Sequence, residues 1–299
     1  MVYVATLISN PVHGAITRDV VAAARGVLPG SGEALTLDGD IAAEIPFDPP
    51  ADFSVHGLED AVRAAIDGAP VDVVVQLAAG RRKRLFVADM DSTMIGQECI
   101  DELADVVGLK AHVSAITERA MRGEIEFEPA LRERVALLKG LPAGVVADVL
   151  RDRISLTPGG KALVATMKAN GAYTALVSGG FTLFTGPVAE MIGFDENRAN
   201  ELHVADGQLV GTVAEPILGR EAKLASLIEL RGRLHLSPSE TLAVGDGAND
   251  LAMLGEAGLG VAFHAKPKVA AAAHARIDHG DLTALLYLQG YHRDDIREG

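Results

Sequence analysis

Apolar residues recur with two different periods along this chain, and the switches between them mark out its elements. Over residues 1–80 the pattern predicts a strand at Tyr3–Ile8, a helix at Thr17–Leu28, and short strands at Ala34–Leu37 and Ala42–Ile45 around an Asp-Gly-Asp turn. A helix at Leu58–Ile66 and a strand at Val71–Leu77 complete this part. The order βαββαβ predicts a small α+β unit, a four-stranded antiparallel sheet with two helices on one face. A strand at Leu85–Ala88 follows, then four helical patterns with little strand signal among them: Gln97–Val107, Ala111–Met121, Glu128–Leu138 and Pro142–Arg151. These form an insertion the size of a lid. From Gly160 onward helices and strands alternate. Helices are predicted at Gly160–Ala169, Phe181–Ile192, Glu221–Leu230, Asp250–Glu256, Pro267–Ala273 and Asp281–Leu288. Strands are predicted at Ala172–Val177, Thr241–Gly245, Gly258–Ala262 and Ala275–Asp278, with a hairpin around Ala205-Asp206-Gly207. Such alternation builds an α/β fold, a doubly wound parallel sheet with helices on both faces.

Charge sharpens the boundary between the two parts. Residues 1–80 hold three Arg and no Lys against eleven acids, so over half of the net charge of −14 lies in about a quarter of the 299 residues. Arg81-Arg82-Lys83-Arg84 follows, read as a solvated linker or strand entrance because no aromatic residue interleaves it. The expected domains are therefore 1–80 and 81–299, the latter with a helical cap at about 97–155 and a core at about 84–96 and 156–290. The acidic balance argues against nucleic acid or an anionic membrane as partner, and it requires any anionic substrate to be met by a local positive site. No apolar run reaches the ~18 residues needed to span a bilayer, and no leader pattern follows Met1, so a cytoplasmic protein is expected. Cys99 is the single cysteine, which removes internal disulfides and thiolate zinc clusters; it reads as a core residue.

The candidate chemistry lies at strand ends, where ligands of such sheets bind. Leu85–Ala88 runs into Asp89-Met90-Asp91-Ser92-Thr93, Ala172–Val177 into Ser178-Gly179-Gly180, and Thr241–Gly245 into Asp246-Gly247-Ala248-Asn249-Asp250. Asp89 and Asp91 are two apart, so in extended chain both face one side, and two acids in one cleft invite a cation. Ser178 offers a hydroxyl, and the Gly179 and Gly180 amides at a helix start offer a phosphate cradle. Lys223 sits in the first turn of a helix, where a cation opposes the helix dipole, so it needs a partner elsewhere.

In this order the pieces resemble the four motifs of the haloacid dehalogenase superfamily of phosphohydrolases, over roughly residues 84–290. The resemblance implies a Rossmann-like core with Asp89 as nucleophile, Asp91 as general acid and base, and Ser178 and Lys223 on the phosphoryl group. It also implies Mg²⁺ held by Asp89, the Asp91 carbonyl and Asp246. Asp250 would anchor the metal's water shell, and Asn249 would reach the substrate. Within the superfamily the chain looks most like phosphoserine phosphatases. Ile95-Gly96-Gln97-Glu98-Cys99-Ile100-Asp101-Glu102-Leu103 is similar to that family's stretch whose Glu meets the substrate ammonium, which points to Glu98. Thr117–Phe127 and Leu131-Arg132-Glu133-Arg134-Val135 are similar to its cap. Arg134 would then meet the substrate carboxylate, with Arg132 as rival, and Met121 and Phe127 would form an apolar wall. The implied reaction converts O-phospho-L-serine to L-serine and phosphate, the last step of serine synthesis. Residues 1–80, through Ser9-Asn10-Pro11 and the element order, resemble ACT-type modules of the ferredoxin-like class; serine binding and homodimer formation are both open roles for them. Two alternatives stand beside this reading: an enzyme of the same fold acting on another small phosphate ester or phosphorylating an alcohol such as homoserine, and a non-catalytic amino-acid-sensing regulator.

Overall fold

The computed structural model describes residues 2–122 and 124–299. The N-terminal part runs β1 (Tyr3–Ser9), α1 (Arg18–Val27), β2 (Leu35–Asp38), β3 (Ala42–Phe47), α2 (Val55–Ala65) and β4 (Val71–Leu77). Thr17 and Ser54 start the two helices, their hydroxyls accepting from the amides of Val20 and Gly57. The strands pair antiparallel in the order β2-β3-β1-β4. Alternation then divides the side chains. Leu7, Ile45, Val73 and Val75 pack with Ala24 and Val62 of the helices. Ile8 and Val74 point the other way and join the main core with Tyr287 and Leu288. Both faces of this sheet are thus covered, where the sequence pattern placed a partner on one.

The rest comprises β5 (Leu85–Ala88), α3 (Cys99–Val106), α4 (Lys110–Met121), α5 (Phe127–Ala136), α6 (Val145–Asp152), α7 (Gly160–Ala169), β6 (Tyr173–Phe181), α8 (Thr182–Ile192) and β7 (Glu196–Asn200). Then come β8 (Leu202–Ala205), β9 (Gln208–Val213), α9 (Arg220–Arg233), β10 (Thr241–Gly245), α10 (Leu251–Glu256), β11 (Leu259–Phe263), α11 (Pro267–Ala270), β12 (Ala275–Ile277) and α12 (Ala284–Leu288). Six strands form a parallel sheet in the order β12-β11-β10-β5-β6-β7. The central strand β5 is apolar at every position, as a parallel strand buried on both faces must be. Phe86 and Ala88 pack toward Leu163 and Phe184 of α7 and α8. Leu85 and Val87 pack toward Leu227 and Met253 of α9 and α10.

Helices α3 to α6 leave this sheet after β5 and return before α7. The exit and entry segments are zipped together by an Ile95–Leu156 bridge and by Gly96 N–H donating to Ser155 O at 3.0 Å. The β8–β9 hairpin closes on the helices through Leu209 N–H to Leu141 O (2.8 Å) and Ala143 N–H to Gly207 O (2.9 Å). No helix of the described residues is long and apolar enough to cross a membrane.

The run of cations at residues 81–84 forms the entrance to β5, one of the two roles expected of it, but it is only partly solvated. Arg84 does face solvent in its pair with Glu240. Arg81, however, forms a part-buried pair with Glu44, and Lys83 is 9% exposed with its ammonium on Ser239 O at 2.7 Å. The segment runs from the N-terminal sheet into β5, so these two charges lose solvent and need partners, while Arg82 stays exposed beside Asp295.

Candidate active site

Strand order brings the three polar strand ends together, because β10, β5 and β6 are neighbours. After β5 the chain makes one wide turn over Met90–Met94, in which Ser92 takes a left-handed backbone (φ 54°). That turn presents Asp89 and Asp91 to a cavity of about 680 Å³ between the sheet and the cap helices. Glu98, Phe127, Arg134, Ser178, Gly179, Gly180, Asp246 and Asn249 line the same cavity. Lys223 and Asp250 lie just behind them, both 0% exposed. Met121 closes α4, but its side chain lies outside the described residues, and so does the wall expected of it.

Lys223 has the partners its position demanded. Its ammonium is 2.7 Å from Asp89 Oδ1 and 2.8 Å from Asp250 Oδ1. Burial works against its charge, but the two carboxylates outweigh burial and push its pKa up. Asp89 Oδ1 also accepts the Met90 amide at 2.8 Å. Among the described residues Oδ2 of Asp89 has no hydrogen bond and is left for chemistry.

The acids here are more numerous than the ammonium can neutralise. Asp89, Asp246 and Asp250 each place an oxygen within 4.8 Å of the others. Burial, then repulsion from Asp250, raises the pKa of Asp89 and carries that of Asp246 to about 7, with Lys223 opposing both shifts. Thr93 Oγ1 donates to Asp246 Oδ1 at 3.3 Å. A buried, all-oxygen set with excess negative charge fits a hard divalent cation rather than zinc. The Asp91 carboxylate lies outside this trio. Its Oδ1 accepts the Cys99 amide at 3.1 Å, and burial raises its pKa against that bond, so it holds a proton more readily than a free acid.

Ser178 is 1% exposed, and its Oγ accepts the Gly180 amide at 2.9 Å. This corrects the expected cradle of two free glycine amides at a helix start. The glycines continue β6, α8 begins only at Thr182, and the Gly180 amide is already engaged. The bond leaves the Ser178 proton free to be donated. Gly179 is needed for a different reason: a Cβ there would sit 3.0 Å from the Phe127 ring, and one at Gly219 3.1 Å from it. Phe127, at the start of α5, therefore reaches down from the cap onto the Gly179 side of the cavity.

The cap end of the cavity sets an acidic side chain beside a basic one. Glu98 accepts from Ser92 Oγ at 2.7 Å, and burial, followed by repulsion from Asp91, lifts its pKa to about 8. Arg134 is 5% exposed and has no ion pair among the described residues. Arg132, its rival, points outward and pairs with Glu215. Thr117 and Ser92, which stand in the cap and strand-end motifs without a role of their own, hold these two residues through their hydroxyls.

Residues 86–255 match the haloacid dehalogenase-like hydrolase family. A phosphoserine phosphatase of Polaromonas sp. is 48% identical over 210 residues, 69% of this chain and 89% of that protein. A haloacid dehalogenase family hydrolase of Salmonella enterica serovar Typhi superposes with a TM-score of 0.82 at 28% identity, over 96% of this chain and 98% of that one. The structure of a phosphoserine phosphatase holding an analogue of a phospho-aspartyl intermediate is 39% identical, with a TM-score of 0.66 over 69% of this chain and 98% of that one. Matched over more than half of its length by the one family and at 48% identity by a member of the other, this chain belongs to the haloacid dehalogenase-like hydrolases and, within them, to the phosphoserine phosphatases.

Proposed function

We propose that this chain is a Mg²⁺-dependent, cytoplasmic phosphatase that hydrolyses O-phospho-L-serine to L-serine and phosphate, the final step of L-serine synthesis. One observation carries the substrate. Glu98 and a buried Arg134, without an ion pair among the described residues, share one cavity with Asp89, so a single small molecule bearing an ammonium, a carboxylate and a phosphate meets a matched group at each pole. Asp89, Asp246 and the Asp91 carbonyl would hold the cation, with Asp250 behind them; when bound it neutralises charge on the phosphoryl oxygens and the attacking carboxylate.

The protein's own groups divide the remaining work. Asp89 Oδ2 attacks phosphorus and forms an acyl phosphate, while the bond to the serine oxygen breaks and that oxygen takes the proton of Asp91. Asp91, now ionised, removes a proton from the water that attacks the phospho-aspartate, which frees Asp89 and releases phosphate. Ser178 donates its hydroxyl proton and Lys223 its charge to the phosphoryl oxygens as they gain negative charge. Asn249 lines the same side. Phe127 covers Gly179 and Gly219 and excludes water once substrate is in place. A homodimer through residues 1–80 is confined to the helical face or the edge strands β2 and β4, because the opposite sheet face carries α12.

The test is release of phosphate from O-phospho-L-serine by the purified chain with Mg²⁺ and with excess EDTA. Turnover only with the metal is expected. No release in Mg²⁺, or full activity in EDTA, rejects the reading. Faster turnover of a phosphate ester lacking either the ammonium or the carboxylate would favour the alternative substrate class.

A further inference from the structure

An arginine meant for a substrate carboxylate poses a design problem. Buried without a partner it is costly, and paired directly with an acid it is no longer available. Arg134 meets neither fate. Its Nε donates to Ala130 O on its own helix at 3.1 Å, and its Nη1 donates to Thr117 Oγ1 on α4 at 2.9 Å. Among the described residues Nη2 has no hydrogen bond and is not sealed from solvent, and Arg134 lines the cavity.

Thr117 is 4% exposed and has one hydroxyl proton. Two acceptors lie in reach, Asp101 Oδ1 at 2.8 Å and Val113 O at 3.1 Å. The shorter contact, to a carboxylate, is the stronger. Asp101, on α3 and 9% exposed, takes a second hydroxyl from Ser114 at 2.5 Å. A directional chain therefore runs Arg134 to Thr117 to Asp101 across three cap helices. Burial lowers the Arg134 pKa, and the acids around it, Glu98 first and then Asp101 and Asp91, oppose that shift; Asp101 does so at one remove, through Thr117, without pairing with the guanidinium directly.

We propose that Thr117, backed by Asp101, is a positioning residue that aims Arg134 at the substrate carboxylate and so sets the preference for phosphorylated amino acids over phosphate esters without a carboxylate. The inference rests on the role given to Arg134 above. Thr117→Val keeps the shape and removes the hydroxyl; Thr117→Ser keeps the hydroxyl. The measurement is kcat and KM of the full chain with Mg²⁺ on O-phospho-L-serine and on O-phosphoethanolamine, which has the ammonium and lacks the carboxylate. Thr117→Val is expected to lower the ratio of the two kcat/KM values about tenfold, mostly through KM for phosphoserine, as loss of one charged hydrogen bond implies. Thr117→Ser restores the ratio, and Asp101→Asn lowers it in the same direction. An unchanged ratio in both Thr117→Val and Asp101→Asn, or equal losses on both substrates, overturns the proposal. Arg134→Ala separates the two levels. If it lowers the ratio and Thr117→Val does not, only the positioning role fails; if it leaves the ratio intact, the carboxylate reading itself fails.

Discussion

Lys223 is a cation one turn into a helix, against the local dipole, and its surroundings explain it. It is shared by Asp89 and Asp250, which come from the ends of two neighbouring strands. Even so, the trio of acids exceeds the single ammonium, and that excess makes the site costly until a cation enters. Asp89→Asn should therefore have two separable effects. Phosphoserine turnover falls by more than about 10³-fold and no phosphoenzyme forms, because an amide cannot make the acyl phosphate. The metal-free melting temperature holds or rises, because one of the repelling buried charges is gone. A melting temperature several degrees lower would show that Lys223 depends more on Asp89 than on Asp250. At this scale the residues legible in the sequence were those with reactive or charged groups at strand ends or helix starts, such as Asp89, Ser178 and Asp246. Thr117 was not legible, since a threonine inside a helix is unremarkable until Arg134, 17 residues on, is seen to donate to it.

Strand β7 was missed altogether at the level of elements. Its sequence, Glu-Asn-Arg-Ala-Asn, has no apolar alternation, yet it forms the edge of the parallel sheet beside β6. Polar contacts hold it there. Glu196 accepts from Tyr173 Oη at 2.8 Å, from Arg198 Nε at 2.6 Å and from Arg233 Nη2 at 2.6 Å. Burial opposes its charge, but these donors outweigh burial and hold its pKa down at about 2, against 4.5 for a free Glu. A depressed pKa means stability present above the unfolded value and lost as pH falls through the folded one. Glu196→Gln should therefore be less stable than the parent at pH 7, and the gap should narrow as pH drops from about 4.5 toward about 2. Urea midpoints at pH 7, 4 and 3 measure this; a gap independent of pH would remove the ionic explanation.

For the whole molecule, the N-terminal sheet is built into the rest rather than hung from it. Asp72, on β4 and 3% exposed, accepts the amides of Asp278 at 2.7 Å, Gly280 at 2.8 Å and His279 at 3.2 Å. Gln76 donates to Leu288 O at 2.7 Å, and Tyr287 donates to Asp38 at 2.5 Å. Asp72→Ala leaves three amides without their acceptor and should cost about 2–4 kcal/mol, read from the urea midpoint. A cost below about 1 kcal/mol would mean that water replaces the carboxylate and the docking rests on apolar contact alone. By itself the sequence determined the kind and order of nearly all elements and the chemistry waiting at the ends of β5, β6 and β10, because periodicity and strand-end motifs are local properties of the chain. Only the tertiary structure decided that Arg134 and not Arg132 faces the cavity, that Lys83 is buried and Arg81 half-buried, that β7 is a strand, and that the second face of the N-terminal sheet lies on α12. Each of these depends on desolvation and on partners brought together from distant segments, as with Asp72 and the loop some 206 residues beyond it, and neither leaves a mark in the local pattern.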